Sequence, residues 1–148
     1  MWAGLATFAL LIGSLSGAHA ASDDVHYACD LSDNEQLVAT YSPGKGRAEF
    51  AFERATNKLS WRVSYEGLTT PIQSAGAYGP DRPAGAAGLQ FNLAVGGLKS
   101  PVTGARVLSD IERQYIAAGR IYVNILTTKY PAGELRCQLK RLREAPPQ

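Results

Sequence analysis

Residues 121–142, IYVNILTTKYPAGELRCQLKRL, decide the fold of this chain. Tyr122-Val123-Asn124 on one side and residues 134–139, ELRCQL, on the other each alternate between two faces, while residues 128–133, TKYPAG, supply a reversal. The pattern predicts a β-hairpin with a long turn. Its second arm carries Cys137, one of only two cysteines. Strand side chains repeat with period two, so Leu135, Cys137 and Leu139 share one side, the one expected to face a core.

The same reasoning applies near the other end, where Val25, Tyr27, Cys29 and Leu31 fall on one face of an extended segment. Both cysteines are thus expected to point inward from the first and last strands. A Cys29–Cys137 disulfide is the economical inference for a chain that reaches an oxidising compartment; two buried free thiols are the alternative. In the chain-entropy model, closing so long a loop stabilises by up to about 4–5 kcal/mol. Neither a CxxC redox motif nor a four-cysteine zinc spacing is present.

Export is itself suggested by the first 20 residues. Residues 1–22 carry no charged side chain, residues 5–15 form an apolar run, and Ala18-His19-Ala20 has the small-x-small form of a cleavage site. We expect a signal peptide over 1–20, a domain over 21–143 and a C-terminal tail over 144–148. An uncleaved membrane anchor is the rival, although Gly13, Ser14, Ser16 and Gly17 interrupt the run and a spanning helix needs about 20 predominantly apolar residues. With 148 residues, 45% of them hydrophobic, the chain can build one core of ordinary size. Fifteen basic and thirteen acidic side chains nearly cancel, so no global field favours nucleic acid or an anionic membrane.

Further alternating runs fill the middle. Ala48, Phe50 and Phe52 share a face, as do Leu59, Trp61, Val63 and Tyr65, with residues 56–58 as the hairpin turn between them. Leu89, Phe91, Leu93 and Val95 are expected to face one way along a strand, and residues 101–108 form another. One helix is expected near 109–118. Ser109 and Glu112 make a capping-box pattern, Gly119 suits the exit, and Ile111, Tyr115 and Ala118 are the expected buried stripe. Fifteen glycines and eight prolines among so many strands predict an all-β fold: an antiparallel, Greek-key-like sandwich or partly closed barrel, immunoglobulin-like in character.

The two arms of the hairpin also resemble the end of the CHRD domain, a module first named from chordin and common in secreted bacterial proteins. Its terminal motif runs roughly Tyr-Val-Asn-x-His-Thr and then Pro-x-Gly-Glu-x-Arg-Gly-Gln-Leu. The matching residues here are Tyr122, Asn124, Thr127, Pro131, Gly133, Glu134 and Arg136, with Leu126 at the histidine position and Cys137 at the glycine after arginine. Residues 118–124, AGRIYVN, resemble the family's passage from helix to strand. The segment 75–80, AGAYGP, stands where the family has Ala-His-x-His-Gly-Pro. Gly76 and Tyr78 therefore occupy the other two histidine positions. The resemblance spans about Tyr27 to Leu139 and implies an exported sandwich-like module. The metal-type site suggested by the family's three histidines is not expected here, because glycine and leucine offer no donor and an ordinary phenol stays protonated near neutral pH.

Within the motif, Glu134 and Arg136 stand two apart, which predicts an exposed ion pair worth about 0–1 kcal/mol. Asn124, Thr127 and Tyr130 are expected to join it in a polar cluster that fixes the turn. His26 is the only histidine beyond position 20, and neither a Gly-x-Ser-x-Gly elbow nor HExxH accompanies it. The expected function is that of an exported, periplasmic or extracellular, non-enzymatic binding or structural module without cofactor. Its expected partner is another exported or membrane-complex protein, with no nucleic acid, and with membrane contact only if the signal segment stays uncleaved. The loops 75–88 and 127–133 are the candidate surfaces. The competing expectation is a metal-binding or redox protein using His26, Tyr78 and carboxylates.

Overall fold

Alternation in the sequence becomes two stacked sheets. A computed structural model describes residues 23–83 and 85–143; the expected signal segment and C-terminal tail lie outside them. In chain order the elements are β1 (Asp24–Leu31), β2 (Lys45–Glu53), β3 (Lys58–Glu66), β4 (Ile72–Tyr78), β5 (Leu89–Asn92), β6 (Val102–Val107), α1 (Asp110–Ala117), β7 (Tyr122–Thr127), β8 (Leu135–Gln138) and β9 (Lys140–Arg141). The first sheet has the order β6-β3-β2-β1-β9 and the second β5-β4-β7-β8. All neighbours run antiparallel, giving a sandwich of two sheets rather than a closed barrel.

The core lies between the sheets and is made by the faces that alternation selects. From the first sheet come Val25, Tyr27, Cys29, Leu31, Ala48, Phe50, Leu59, Trp61 and Val63, all buried. The second contributes Ala75, Ala77, Phe91, Val123, Ile125, Leu135 and Cys137. Trp61 sits between Phe50 and Phe91, with ring centroids 6.3 and 5.6 Å away, and its indole N–H donates to the Leu93 carbonyl at 2.9 Å. A large ring is thereby buried with its one polar atom satisfied.

Cys29 and Cys137 form a disulfide with Cα atoms 5.7 Å apart, 108 residues apart in sequence. It links β1 of one sheet to β8 of the other. At the same edge Ser32 and Arg136 exchange backbone hydrogen bonds of 3.2 and 2.9 Å, so the segment after β1 crosses to the free side of β8.

Three local expectations change. The β2–β3 turn covers residues 54–57, and Asn57 adopts φ 56°, a left-handed conformation that asparagine tolerates. Strand β5 stops at Asn92; the Asn92 side chain caps the Ala94 N–H at 2.9 Å and turns the chain, so Phe91 and Leu93 stay buried while Leu89 and Val95 are exposed. In α1 the capping box forms as expected, the Glu112 N–H donating to Ser109 Oγ and the Ser109 N–H to Glu112 Oε2. The buried stripe, however, is centred on Ile116, with Tyr115 beside it, and Ile111 is exposed. The Arg106–Glu112 salt bridge and the hydrogen bond that Arg113 Nη1 donates to Asn57 Oδ1 at 2.6 Å tie the helix to β6 and the β2–β3 turn in that rotation.

Candidate functional site

Strands β7 and β8 depart from simple alternation: Arg136 is only 2% exposed although it faces away from the core. An antiparallel sheet usually leaves one face wet. Here two loops roof the outer face of the second sheet. The 32–44 loop lies over β8, where Glu35 Oε2 accepts the Gln138 N–H at 2.8 Å. Loop residues 79–83 and 85–88 lie over β7 and β8, where the Ala87 N–H donates to the Tyr122 hydroxyl at 3.0 Å and the Asp81 carbonyl accepts from Gln138 Nε2 at 3.1 Å.

Register places the family-motif side chains in rows across this face. Gly76 pairs with Asn124 and Asn124 with Arg136; Tyr78 pairs with Tyr122 and Tyr122 with Gln138; Ser74 pairs with Leu126. The three histidine positions of the family, Gly76, Tyr78 and Leu126, thus lie on one outer face in neighbouring rows. The Tyr78 and Tyr122 rings stack at 5.5 Å and 15°, and the Arg136 guanidinium lies 3.6 Å from the Tyr122 centroid. This cation–π stack anchors the long arginine side chain over the sheet. A Cβ at Gly76 would come within 2.7 Å of the Tyr78 and Leu89 side chains, so any larger residue here needs those two side chains to move aside.

Between the roof loops is a cleft of about 370 Å³, bounded by Gln36, Leu37, Val38, Tyr78, Leu126 and Arg136, with residues 86–87 and 131–133 completing it. Both loops singled out from the sequence therefore contribute to its wall. The third contributor, Gln36-Leu37-Val38, is not among the candidate surfaces read from the sequence: it sits in a turn-rich segment that resembles the family's Glu-Val-Pro-Pro-like stretch only loosely and has no strand alternation to orient it.

Asn124 braces the floor. Its Oδ1 accepts from Gln36 Nε2 at 2.9 Å and its Nδ2 donates to the Ala132 carbonyl at 3.0 Å. Gly133, at φ 130°, allows this approach: a Cβ there would lie 2.3 Å from Asn124 Oδ1.

The expected exposed ion pair does not form. Glu134 is 0% exposed and belongs to a separate cluster at the base of the turn. Its Oε1 accepts from Ser42 Oγ at 2.6 Å and from the Thr69 N–H at 2.8 Å, and its Oε2 accepts from Thr127 Oγ1 at 2.7 Å. Tyr130 joins through its hydroxyl, which donates to the Thr40 carbonyl at 2.7 Å. Burial would raise the Glu134 carboxyl, but hydrogen bonds from Ser42, Thr127 and Thr69 outweigh it and hold the group below the usual carboxylate range. Glu134 thus ties two loops to the end of β7. Ser42 and Thr69 could not be foreseen as its partners, because they lie 92 and 65 residues away.

The donor chemistry at the family's histidine positions does not suit a metal. Gly76 and Leu126 bring no ligand atom, and burial, reinforced by Tyr122, pushes the Tyr78 phenol above its ordinary range. Nor does the fold assemble the alternative set. His26 is exposed on the first sheet, in β1, whereas Tyr78 lies on the outer face of the second.

The family model described as CHRD domain matches residues 27–139. No curated protein and no solved structure matches the chain.

Proposed function

Because the chain belongs to the CHRD domain family, we propose that it acts as an exported, non-enzymatic binding module that holds another exported or membrane-complex protein on the outer face of β4, β7 and β8. One observation carries the reading: the cleft has an exposed apolar rim. Val38 is 79% and Leu37 54% exposed, and they stand beside Leu126 and Pro131 over a floor of stacked aromatic rings. Apolar side chains gathered at the mouth of a concave site favour a partner that covers them.

The polar groups here favour holding over turnover. Both ends of the Asn124 amide are engaged, the Tyr122 hydroxyl is shared with Ala87, and His26 belongs to the other sheet. A nucleophile within reach of a base, the usual signature of covalent catalysis, does not arise from these groups. The disulfide supports residence in an oxidising compartment.

Isolation of the exported protein from its own host, under conditions that preserve complexes, tests the reading. The expected result is a stoichiometric partner that is lost from a Leu37→Asp/Val38→Asp variant and retained by Thr103→Asp on the first sheet. An inert monomer, or a partner indifferent to the double substitution, would overturn it.

A further inference from the structure

We propose that the cleft is a carboxylate-binding site, in which Arg136 offers the Nε–Nη2 edge of its guanidinium to the carboxylate while Leu37, Val38, Leu126 and Pro131 take the apolar body attached to it. The inference rests on the binding-module reading and deepens it by naming the ligand's chemistry.

A guanidinium brings a fixed positive charge and five N–H donors in a planar fork. In Arg136 one part of that fork is used, since Nη1 donates to the Gly85 carbonyl, and one face lies against the Tyr122 ring. Nε and Nη2 are buried and have no hydrogen-bond partner among the described residues. These two nitrogens form one side of the fork, with two parallel N–H vectors, the geometry that a carboxylate meets with both oxygens.

Among the described residues no carboxylate oxygen lies within 4.0 Å of the Arg136 guanidinium. On the roof loops Glu35 accepts from the Gln138 N–H and Asp81 from the Arg82 N–H. Of the nearby polar groups, Asn124 is engaged with Gln36 and Ala132 and Tyr122 with Ala87, while Gln138 uses its Nε2 on the Asp81 and Gly119 carbonyls and its Oε1 is buried without a partner among the described residues. A buried charge without a partner is costly, and here the uncommitted edge belongs to a residue lining a mostly apolar cleft. An anion supplied from outside completes the site. One charge and one two-pronged edge suit a carboxylate better than a phosphate, whose near-double charge and third oxygen would lack partners.

A free chain terminus and a small apolar acid share this chemistry. The test is a titration of the 15N-labelled exported protein, disulfide intact, following the Arg136 Nε–H resonance. The probes are sodium phenylacetate, the tripeptide acetyl-Ala-Ala-Leu with a free carboxylate, its C-terminal amide, and sodium phosphate. The expected result is a saturable shift with at least one of the two carboxylates and none with the amide or phosphate. Response to the tripeptide alone assigns the site to chain termini, and response to phenylacetate alone assigns it to small acids. Arg136→Lys keeps the charge, loses the fork and should weaken binding about tenfold. If that variant fails to fold, Val38→Asp, at an exposed position, sets a like charge at the rim and should weaken binding by a similar factor at low salt.

The proposal fails if neither carboxylate moves the resonance, if the amide or phosphate moves it equally, or if the folded variants bind as tightly as the parent. Absence of a carboxylate response in protein that still co-isolates its partner would overturn this proposal alone. A carboxylate response without any recovered protein partner would instead overturn the protein-binding reading and leave the site standing.

Discussion

Replacing Glu134 with alanine removes one carboxylate and strands donors on three separate segments. Ser42 Oγ, the Thr69 N–H and Thr127 Oγ1 all reach it within 2.8 Å, in a position that is 0% exposed. A hydrogen bond to a charged group contributes about 1.5–3 kcal/mol, and a buried donor left unmet costs about 1–3 kcal/mol. The two hydroxyls can turn toward other acceptors, whereas the Thr69 N–H cannot turn, so these values do not simply add. We expect Glu134→Ala to cost about 3–5 kcal/mol. Glu134→Gln keeps an oxygen for Ser42 and Thr69 but loses the charge and the acceptor of Thr127 Oγ1, whose hydroxyl must instead accept from the new amide, for about 1–2 kcal/mol. The sign of the pH dependence follows from the lowered carboxyl. Its stabilisation is complete above the ordinary value of 4.5 and is lost as pH falls through the lower folded value. The difference between parent and Glu134→Gln should therefore be largest near neutrality and shrink as pH falls below 4.5 through the lowered folded value. Urea unfolding followed by tryptophan fluorescence across that range measures both quantities. A cost below about 1 kcal/mol for alanine, or a parent-to-glutamine difference that stays constant on acidification, would refute the reasoning.

Other expected outcomes concern the frame around the cleft. Changing both Cys29 and Cys137 to alanine should lower stability by up to about 4–5 kcal/mol, read from the urea midpoint with the slope checked for a less compact unfolded chain. Gly133→Ala forces a side chain into a left-handed backbone and toward Asn124 Oδ1 at 2.3 Å; it should cost about 2 kcal/mol or more and expose Gln36 and Asn124 amides to faster exchange in NMR. Trp61→Phe leaves the Leu93 carbonyl without its indole donor and trims the core, for about 1–3 kcal/mol in thermal or urea unfolding. Setting histidine at Gly76, Tyr78 and Leu126 together should create zinc affinity absent from the parent, measured by calorimetry, because register puts all three on one face; a triple variant that folds but binds no zinc would contradict that placement.

The hairpin, the inward cysteines and the two-sided alternation of β1 to β3 were readable because each depends on residues two apart on one strand. Period two selects a face without knowledge of what covers it. For the same reason the buried positions of Arg136 and Glu134 are not legible in the sequence. Alternation places Arg136 on the outer side, but its burial is decided by loops around residues 32–44 and 79–88, whose paths carry no periodic signal. Glu134 lies just before β8 rather than within it, so strand geometry does not govern where its side chain goes. The rotation of α1 about Ile116 rather than Ile111 has a similar origin: the capping box fixes where the helix starts, but contacts to distant segments, Arg113 to Asn57 and Glu112 to Arg106, fix which side faces the sheet. The cleft itself joins segments that are 88 residues apart at the Gln36–Asn124 contact, a distance over which local pattern is silent.

Site-specific photo-crosslinking in the native host tests most directly whether the outer face of the second sheet is where this module holds its partner, with a photoreactive phenylalanine analogue in place of Val38 and, separately, in place of Thr103 on the first sheet. One discrete exported or membrane-complex adduct is expected from position 38 and none from position 103. Adducts from position 103 alone, or none from position 38 in a correctly oxidised and exported chain, would contradict that placement.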